Sequence, residues 1–382
     1  MLKLIIKYVM KVMLHVFFIL PVNRKKFYFR VFGGTRYACN PKYLYLWLVK
    51  NNFDFSYVWE LNHPVPLERN TVRVSSFHSL RAVFHMMTSR FIVTNGAFPW
   101  WIPLRRSQVV LETWHGGGAY KRVGIYEKKP TAFFDFEQKK NSMQATFYIS
   151  SCKKFTEIQS VSKCVLPEKF ICTGMPRNAI LFDYDTILRL KSHVRNDFKV
   201  SNNAKIVLYA PTYRGATGFK TNESQGNPIE LDFTKLVSAL KTSFGGEWLL
   251  FYRSHYFDQY LKNSLPDFVI DATKYEDMQE LLCAADVLVT DYSSSMWDFA
   301  LTGKPCFLYA PDIDKYMAER GFYTDPATWP FPLARSEDAL WENIARFDGE
   351  KYAAAVRKHL EDLGSYENKE ACRKVCEAIG VC

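Results

Sequence analysis

Residues Val287 to Tyr309 read VLVTDYSSSMWDFALTGKPCFLY, and this stretch decides the fold. Val287 to Thr290 is a short β-branched run of the kind that fills a buried parallel strand. Asp291-Tyr292 breaks it, and Ser293, Ser294 and Ser295 follow, all good helix N-caps. Met296, Trp297, Phe299, Ala300 and Leu301 continue as a helix that stops at Gly303. Pro305 then opens a second strand, Cys306 to Tyr309. A serine-rich turn between a strand end and a helix N-terminus offers N–H groups, hydroxyls and the positive end of a dipole, which suits a phosphate. The plainer reading is an N-capped helix in a βαβ unit and nothing more.

Outward from this unit the chain alternates. Phe27 to Phe32, Phe55 to Leu61, Phe91 to Thr94, Val109 to Thr113 and Thr146 to Ser150 read as strands, with helical segments at Lys42 to Lys50 and Phe77 to Met87. A second series has strands at Ile206 to Tyr209, Trp248 to Tyr252, Phe268 to Asp271, Asp286 to Thr290 and Cys306 to Tyr309. Between them, helices are expected at Phe233 to Thr242, Met278 to Ala284 and Ser295 to Leu301. The charged helical stretch Leu181 to Val200 separates the two series. Thr217 to Asn227 is polar and glycine-rich and reads as a surface loop. Such alternation implies α/β architecture, with two Rossmann-like domains of parallel sheet facing across a ligand cleft. The expected division is a helix over 1–22, one domain over 23–190 and a second over 191–382.

The composition excludes bulk disorder, because 48% hydrophobic and 16% aromatic residues supply two cores. The nine cysteines are scattered without metal spacing, which points to reduced thiols, a cytosolic location and no zinc site. The net charge of +11 is concentrated early: ten lysines and arginines precede the first acidic residue, Asp54. In MLKLIIKYVMKVMLHVFFIL, Lys3, Lys7, Lys11 and His15 fall four apart on one helical stripe amid apolar residues. Three lysines argue against a spanning helix. An amphipathic helix lying in a membrane interface, its cations among anionic head groups, is the expectation. The other reading docks the helix on the domain with its stripe in water. Cations confined to this segment give no reason to expect nucleic acid.

His115 follows the strand Val109 to Glu112 in Thr113-Trp114-His115-Gly116-Gly117-Gly118. The glycines let backbone approach a ligand closely, and an imidazole there is a candidate general base. In the second half, LYAPTYR ends with Arg214, and YRSHY places Arg253 and His255 at another strand end. With Asp291, Ser293 and Ser294, these residues would form a pyrophosphate site.

Taken together, TWHGGGAYKRVG (Thr113 to Gly124), TGMPRN (Thr173 to Asn178), LYAPTYR, RSH and the stretch Val289 to Asp325 resemble the CDP-glycerol glycerophosphotransferase family, enzymes of teichoic acid and polyol-phosphate capsule assembly. FGGTRYACNPKYLY (Phe32 to Tyr45) resembles the family's N-terminal region. Gly117-Gly118 stands where Thr-Pro is common in the family. The resemblance implies a GT-B-like fold and a peripheral enzyme on the cytoplasmic face of the membrane. It would move a polyol phosphate from a CDP-activated donor to a lipid-linked acceptor, releasing CMP. By the same resemblance His115 matches the base, with Gly116 and Gly117 beside the acceptor. His255, Asp291, Ser293 and Ser294 match donor-phosphate contacts, to which Arg214 and Arg253 add charge. No cofactor is expected to be obligatory, and Mg2+ and oligomeric state are left open. A GT-B glycosyltransferase using a nucleotide sugar is the alternative.

Overall fold

Runs of β-branched and aromatic residues bounded by glycine and proline form the strands of two parallel sheets. The computed structural model describes residues 2–68, 70–75, 79–126, 132–212, 230–254 and 265–382. The expected loop at Thr217 to Asn227 lies outside the described residues, as do Arg214 and His255.

The first sheet comprises β1 (Asn23–Arg30), β2 (Ser56–Glu60), β3 (Thr71–Val74), β4 (Ser89–Thr94), β5 (Val109–Glu112), β6 (Phe147–Ile149) and β7 (Phe170–Ile171). They lie in the order β3-β2-β1-β4-β5-β6-β7, all parallel. The second sheet holds β8 (Lys205–Tyr209), β9 (Trp248–Tyr252), β10 (Val269–Asp271), β11 (Val287–Thr290), β12 (Cys306–Tyr309) and β13 (Leu333–Ala334) in the order β10-β9-β8-β11-β12-β13. Each sheet therefore runs outward from its first strand and then reverses, which opens a crevice where the order switches, at the carboxyl ends of the strands. Those switch points are β1/β4 and β8/β11.

The expected βαβ unit is present. Leu288 pairs with Cys306 and Thr290 with Leu308, and the helix Ser295–Ala300 connects the two strands. The short edge strands β3, β7 and β13 were not legible, since two to four residues carry no usable period. Central strands are buried on both faces: Phe27, Tyr28 and Phe29 of β1 and Leu288 and Val289 of β11 have no exposed surface. Such strands read as unbroken apolar runs because helices cover both sides of a parallel sheet.

The chain divides differently from the expected 190/191 boundary. One unit is Met1–Ala179 together with Leu363–Cys382, and the other is Ile180–Asp362. The helix Tyr184–Asp197 belongs to the second unit because Leu190 packs with Leu181 and Cys283, and Lys191 pairs with Asp286 at 2.7 Å. The C-terminal segment returns to the first unit through polar contacts. Glu367 accepts hydrogen bonds from the Met175 N–H (2.9 Å) and from Asn178 Nδ2 (3.0 Å), while Asn368 donates to the Thr173 carbonyl at 3.0 Å. Gly174, at φ +76°, lets the chain pass: a Cβ there would lie 2.7 Å from the Tyr366 carbonyl oxygen.

The N-terminal helix α1 (Leu2–Leu14) inverts the expected orientation. Lys7 pairs with Glu137, and Lys11 donates to the Trp100 carbonyl at 3.2 Å while its ammonium lies 5.7 Å from that indole's centroid. The middle of the stripe is therefore turned toward the protein, while Lys3 and His15 at its ends are exposed. The apolar face is in water instead, with Leu2 and Val12 each 71% exposed and Ile19 83%. Of the following cations, Lys26 is buried against Thr88 and the Phe84 ring, so it cannot serve head groups either.

Candidate active site

In the first unit, three glycine-containing loops leave adjacent strand ends. They are Phe32-Gly33-Gly34 after β1, Asn95-Gly96 after β4, and Trp114 to Gly118 after β5. His115 belongs to the third and is joined to the second: its Nδ1 lies 3.0 Å from the Asn95 carbonyl oxygen. A carbonyl only accepts, so Nδ1 carries the proton and Nε2 keeps its lone pair. Phe32 sits edge-on to the imidazole at 5.4 Å, and the Trp114 ring lies at 4.3 Å. Loss of hydration within the surrounding protein pushes the His115 pKa down, to about 4. The Asn95 bond opposes this shift, and the cations Lys163, Arg177 and Lys121 deepen it. His115 as a residue is exposed to solvent, so water still reaches it and weakens this desolvation. The imidazole is therefore neutral at pH 7 and able to accept a proton at Nε2.

The shell behind His115 is polar and buried. Trp114 adopts φ +52°, a left-handed conformation that an aromatic residue pays for in strain. Its N–H donates to Glu112 Oε1 at 3.1 Å, its carbonyl accepts from Asn40 Nδ2 at 3.1 Å, and the Lys163 ammonium lies 3.5 Å from its ring centroid. Asn40, at the start of α2 (Cys39–Lys50), also accepts the Arg177 N–H at 3.1 Å and so ties the TGMPRN segment to the histidine loop. Glu112 is 1% exposed, and burial pushes its pKa up to about 8. The Trp114 hydrogen bond, Lys163 and Arg30 oppose that rise. Of the three glycines, Gly118 is the one with positive φ (+70°), and its N–H donates to Ser151 Oγ at 3.3 Å. Gly116 and Gly117 complete the loop, Gly117 buried.

The second unit brings Arg253, Thr212 and the Asp291 to Ser294 turn to the ends of neighbouring strands β9, β8 and β11. Asp291 is 1% exposed, and protein groups fill its carboxylate: the Thr212 N–H at 2.8 Å, the Thr212 hydroxyl and the Tyr292 N–H. It therefore staples the β8 and β11 loops together across the switch point. Arg253 follows β9, its main-chain N–H donating to the Tyr209 carbonyl at 2.9 Å. The serine turn is more self-satisfied than expected. The Ser295 N–H and hydroxyl both go to Ser293 Oγ, the Met296 N–H to the Ser293 carbonyl, and the Trp297 N–H to the Ser294 carbonyl. The helix that follows has only six residues, and Ser294 makes no side-chain cap bond. The turn therefore keeps few free amides of its own.

Sequence reasoning named His115 but missed Asn95, Asn40 and Glu112. The dipeptide Asn95-Gly96 directly after a strand was a usable signal. The ionisation of Glu112 had none, because it follows from burial alone.

The family profile described as CDP-Glycerol:Poly(glycerophosphate) glycerophosphotransferase matches residues 12–380. A teichoic acid poly(glycerol phosphate) polymerase of Bacillus spizizenii is 28% identical over 377 residues, covering 94% of this chain and 93% of the relative. A teichoic acid glycerol-phosphate transferase of Staphylococcus aureus is 28% identical over 380 residues, with the same coverage of each chain. The solved structure of the wall teichoic acid polymerase TagF, H548A, superposes with a TM-score of 0.81 at 24% identity, over 99% of this chain and 95% of that one. That likeness shows a GT-B-like α/β fold.

Proposed function

The chain belongs to the CDP-glycerol:poly(glycerophosphate) glycerophosphotransferase family, and on that premise we propose that it transfers glycerol phosphate or a related polyol phosphate from a CDP-activated donor to a hydroxyl of a lipid-linked acceptor or growing polymer. The observation carrying this reading is His115, neutral, with Nδ1–H held by the Asn95 carbonyl and Nε2 without a hydrogen-bond partner among the described residues. The acceptor hydroxyl gives its proton to Nε2 and its oxygen attacks the β-phosphorus; the bond to the CMP oxygen breaks and CMP leaves. Phosphoryl transfer asks mainly for positioning and charge stabilisation. The second unit supplies these to the donor through Arg253, the Ser293–Ser294 turn and, beyond the described residues, Arg214 and His255. The reading contains no obligatory metal; Mg2+ would act as a counter-ion of the donor diphosphate. Incubating the purified chain with CDP-glycerol, CDP-ribitol and nucleotide sugars decides the reaction. CMP release from a CDP-polyol is expected, and release of UDP or GDP alone would replace this reading with a glycosyltransferase.

The donor site has its own test. Asp291→Ala removes the acceptor shared by Thr212 and Tyr292, and each hydrogen bond to a buried charge is worth about 1.5–3 kcal/mol. Calorimetry is expected to show CDP-glycerol binding weakened about tenfold or more, with Ser294→Ala in the same direction. Unchanged affinity in both variants would place the donor elsewhere.

Attachment to the membrane follows from α1. Among the described residues no helix is long and apolar enough to cross a bilayer. The exposed face of α1 is instead an interfacial surface, because each apolar side chain it buries contributes about 1.5–3 kcal/mol. Since Lys7 and Lys11 face the protein, anchoring through this face is salt-resistant. Flotation with phosphatidylglycerol vesicles is expected to survive 1 M NaCl (a Debye length of about 3 Å) and to be lost on deletion of residues 2–20. Equal flotation of both proteins would assign the anchor to another surface.

A further inference from the structure

Asn95 sits at the β1/β4 switch point and is fully buried. Three of its groups are accounted for differently. Its carbonyl oxygen accepts from His115 Nδ1. Its Oδ1 accepts the Phe32 N–H at 2.9 Å. Its Nδ2 is buried with no hydrogen-bond partner among the described residues. Leaving a buried amide donor unmade is costly, so this side chain is not there for packing.

The Oδ1 bond holds the turn after β1 in place. That turn is unusual: Phe32, Gly33 and Gly34 all have positive φ (45°, 66° and 82°), and the Phe32 ring packs against the imidazole with an interplanar angle of 64°. The Asn95–Gly96 peptide plane is fixed at both ends, its carbonyl toward His115 and its N–H, from Gly96, donating to Thr94 Oγ1 at 3.3 Å. The charged groups around the ring are the cations Lys163, Arg177 and Lys121. No carboxylate among the described residues is hydrogen-bonded to the ring to enforce a tautomer. That task falls to one carbonyl, aimed by one side chain.

We propose that Asn95 is a positioning residue for proton transfer: its carboxamide clamps the Phe32 turn and thereby holds His115 as the Nδ1–H tautomer with Nε2 free. The inference rests on His115 being the base, but its first readout, the tautomer, does not. Nitrogen-15 NMR of the full chain labelled at histidine, without substrate at pH 7, reads the tautomer directly, and His115→Gln identifies the signal. Wild type is expected to show an unprotonated Nε2. Asn95→Ala is expected to shift the population toward Nε2–H and to lower kcat about tenfold or more, with donor KM within about twofold of wild type. Asn95→Asp keeps an acceptor for Phe32 and sets a carboxylate beside the ring. It is expected to retain the tautomer and to move the acid limb of the kcat profile up by about one pH unit or more. A wild-type His115 protonated at Nε2 overturns the proposal, as does Asn95→Ala with the wild-type tautomer and kcat. Should Asn95→Ala fail to fold, the wild-type tautomer and the Asn95→Asp profile decide it. The expected tautomers in a protein that releases no CMP would uphold the clamp and remove the transferase reading.

Discussion

His115→Ala is expected to lower polyol-phosphate transfer by about 10²- to 10⁴-fold, the usual loss for a general base, while CDP-glycerol affinity stays near wild type. The separation follows from placement. His115 stands at the end of β5 in the first unit, whereas the donor contacts proposed above stand at β8, β9 and β11 in the second. Removing the imidazole also removes a hydrogen bond to Asn95, so a folding control is needed; His115→Gln supplies it with a side chain that cannot take the proton. The pH profile gives a second reading. The base works deprotonated, and its surroundings lower its pKa below the ordinary 6.5, toward 4. The base form therefore persists into mild acid, and kcat/KM, which reports the free enzyme, should hold through pH 6 and fall only below it. Retention of more than half the wild-type turnover in His115→Ala would end the assignment.

Glu112→Gln is expected to stabilise the protein at pH 8 by about 4 kcal/mol and to have little effect at pH 4. In the folded chain the carboxyl is raised to about 8 by burial, while in the unfolded chain it ionises near 4.5. The stability this group contributes is fully present below 4.5. It is lost progressively as the pH rises toward 8, because only the unfolded state releases the proton over that range. Glutamine keeps the acceptor for the Trp114 N–H and never ionises, so the variant escapes the loss. Urea unfolding of both proteins at pH 5 and pH 8 measures it as a difference of differences, which cancels groups common to the two. A gap that does not widen between those pH values would mean that Glu112 is ionised in the folded protein, paired to Lys163.

The sequence by itself determined the alternation, the two series of strands and the loops that carry chemistry. A parallel strand buried on both faces is an apolar run, and serine, glycine and proline at its ends mark where it stops. Val287 to Tyr309 could therefore be read as strand, turn, helix and strand from composition alone. His115 could be placed at a strand end for the same reason. Only the tertiary structure decided three other matters, each of which depends on residues remote in the chain. The lysine stripe of α1 is plain in the sequence, but periodicity defines two faces without saying which one meets protein. Glu137 and Trp100, about a hundred residues on, turn Lys7 and Lys11 inward and leave the apolar face in water. The last twenty residues join the first unit because Glu367 and Asn368 bond back to residues near 175, a return that no local pattern announces. The protonation of the site was likewise invisible: the tautomer of His115 is set by a carbonyl just past the end of the neighbouring strand, and the neutrality of Glu112 by the water it lacks. Local pattern reports what a segment can become; the free energy of an ionisable or amphipathic group depends on what the fold places around it.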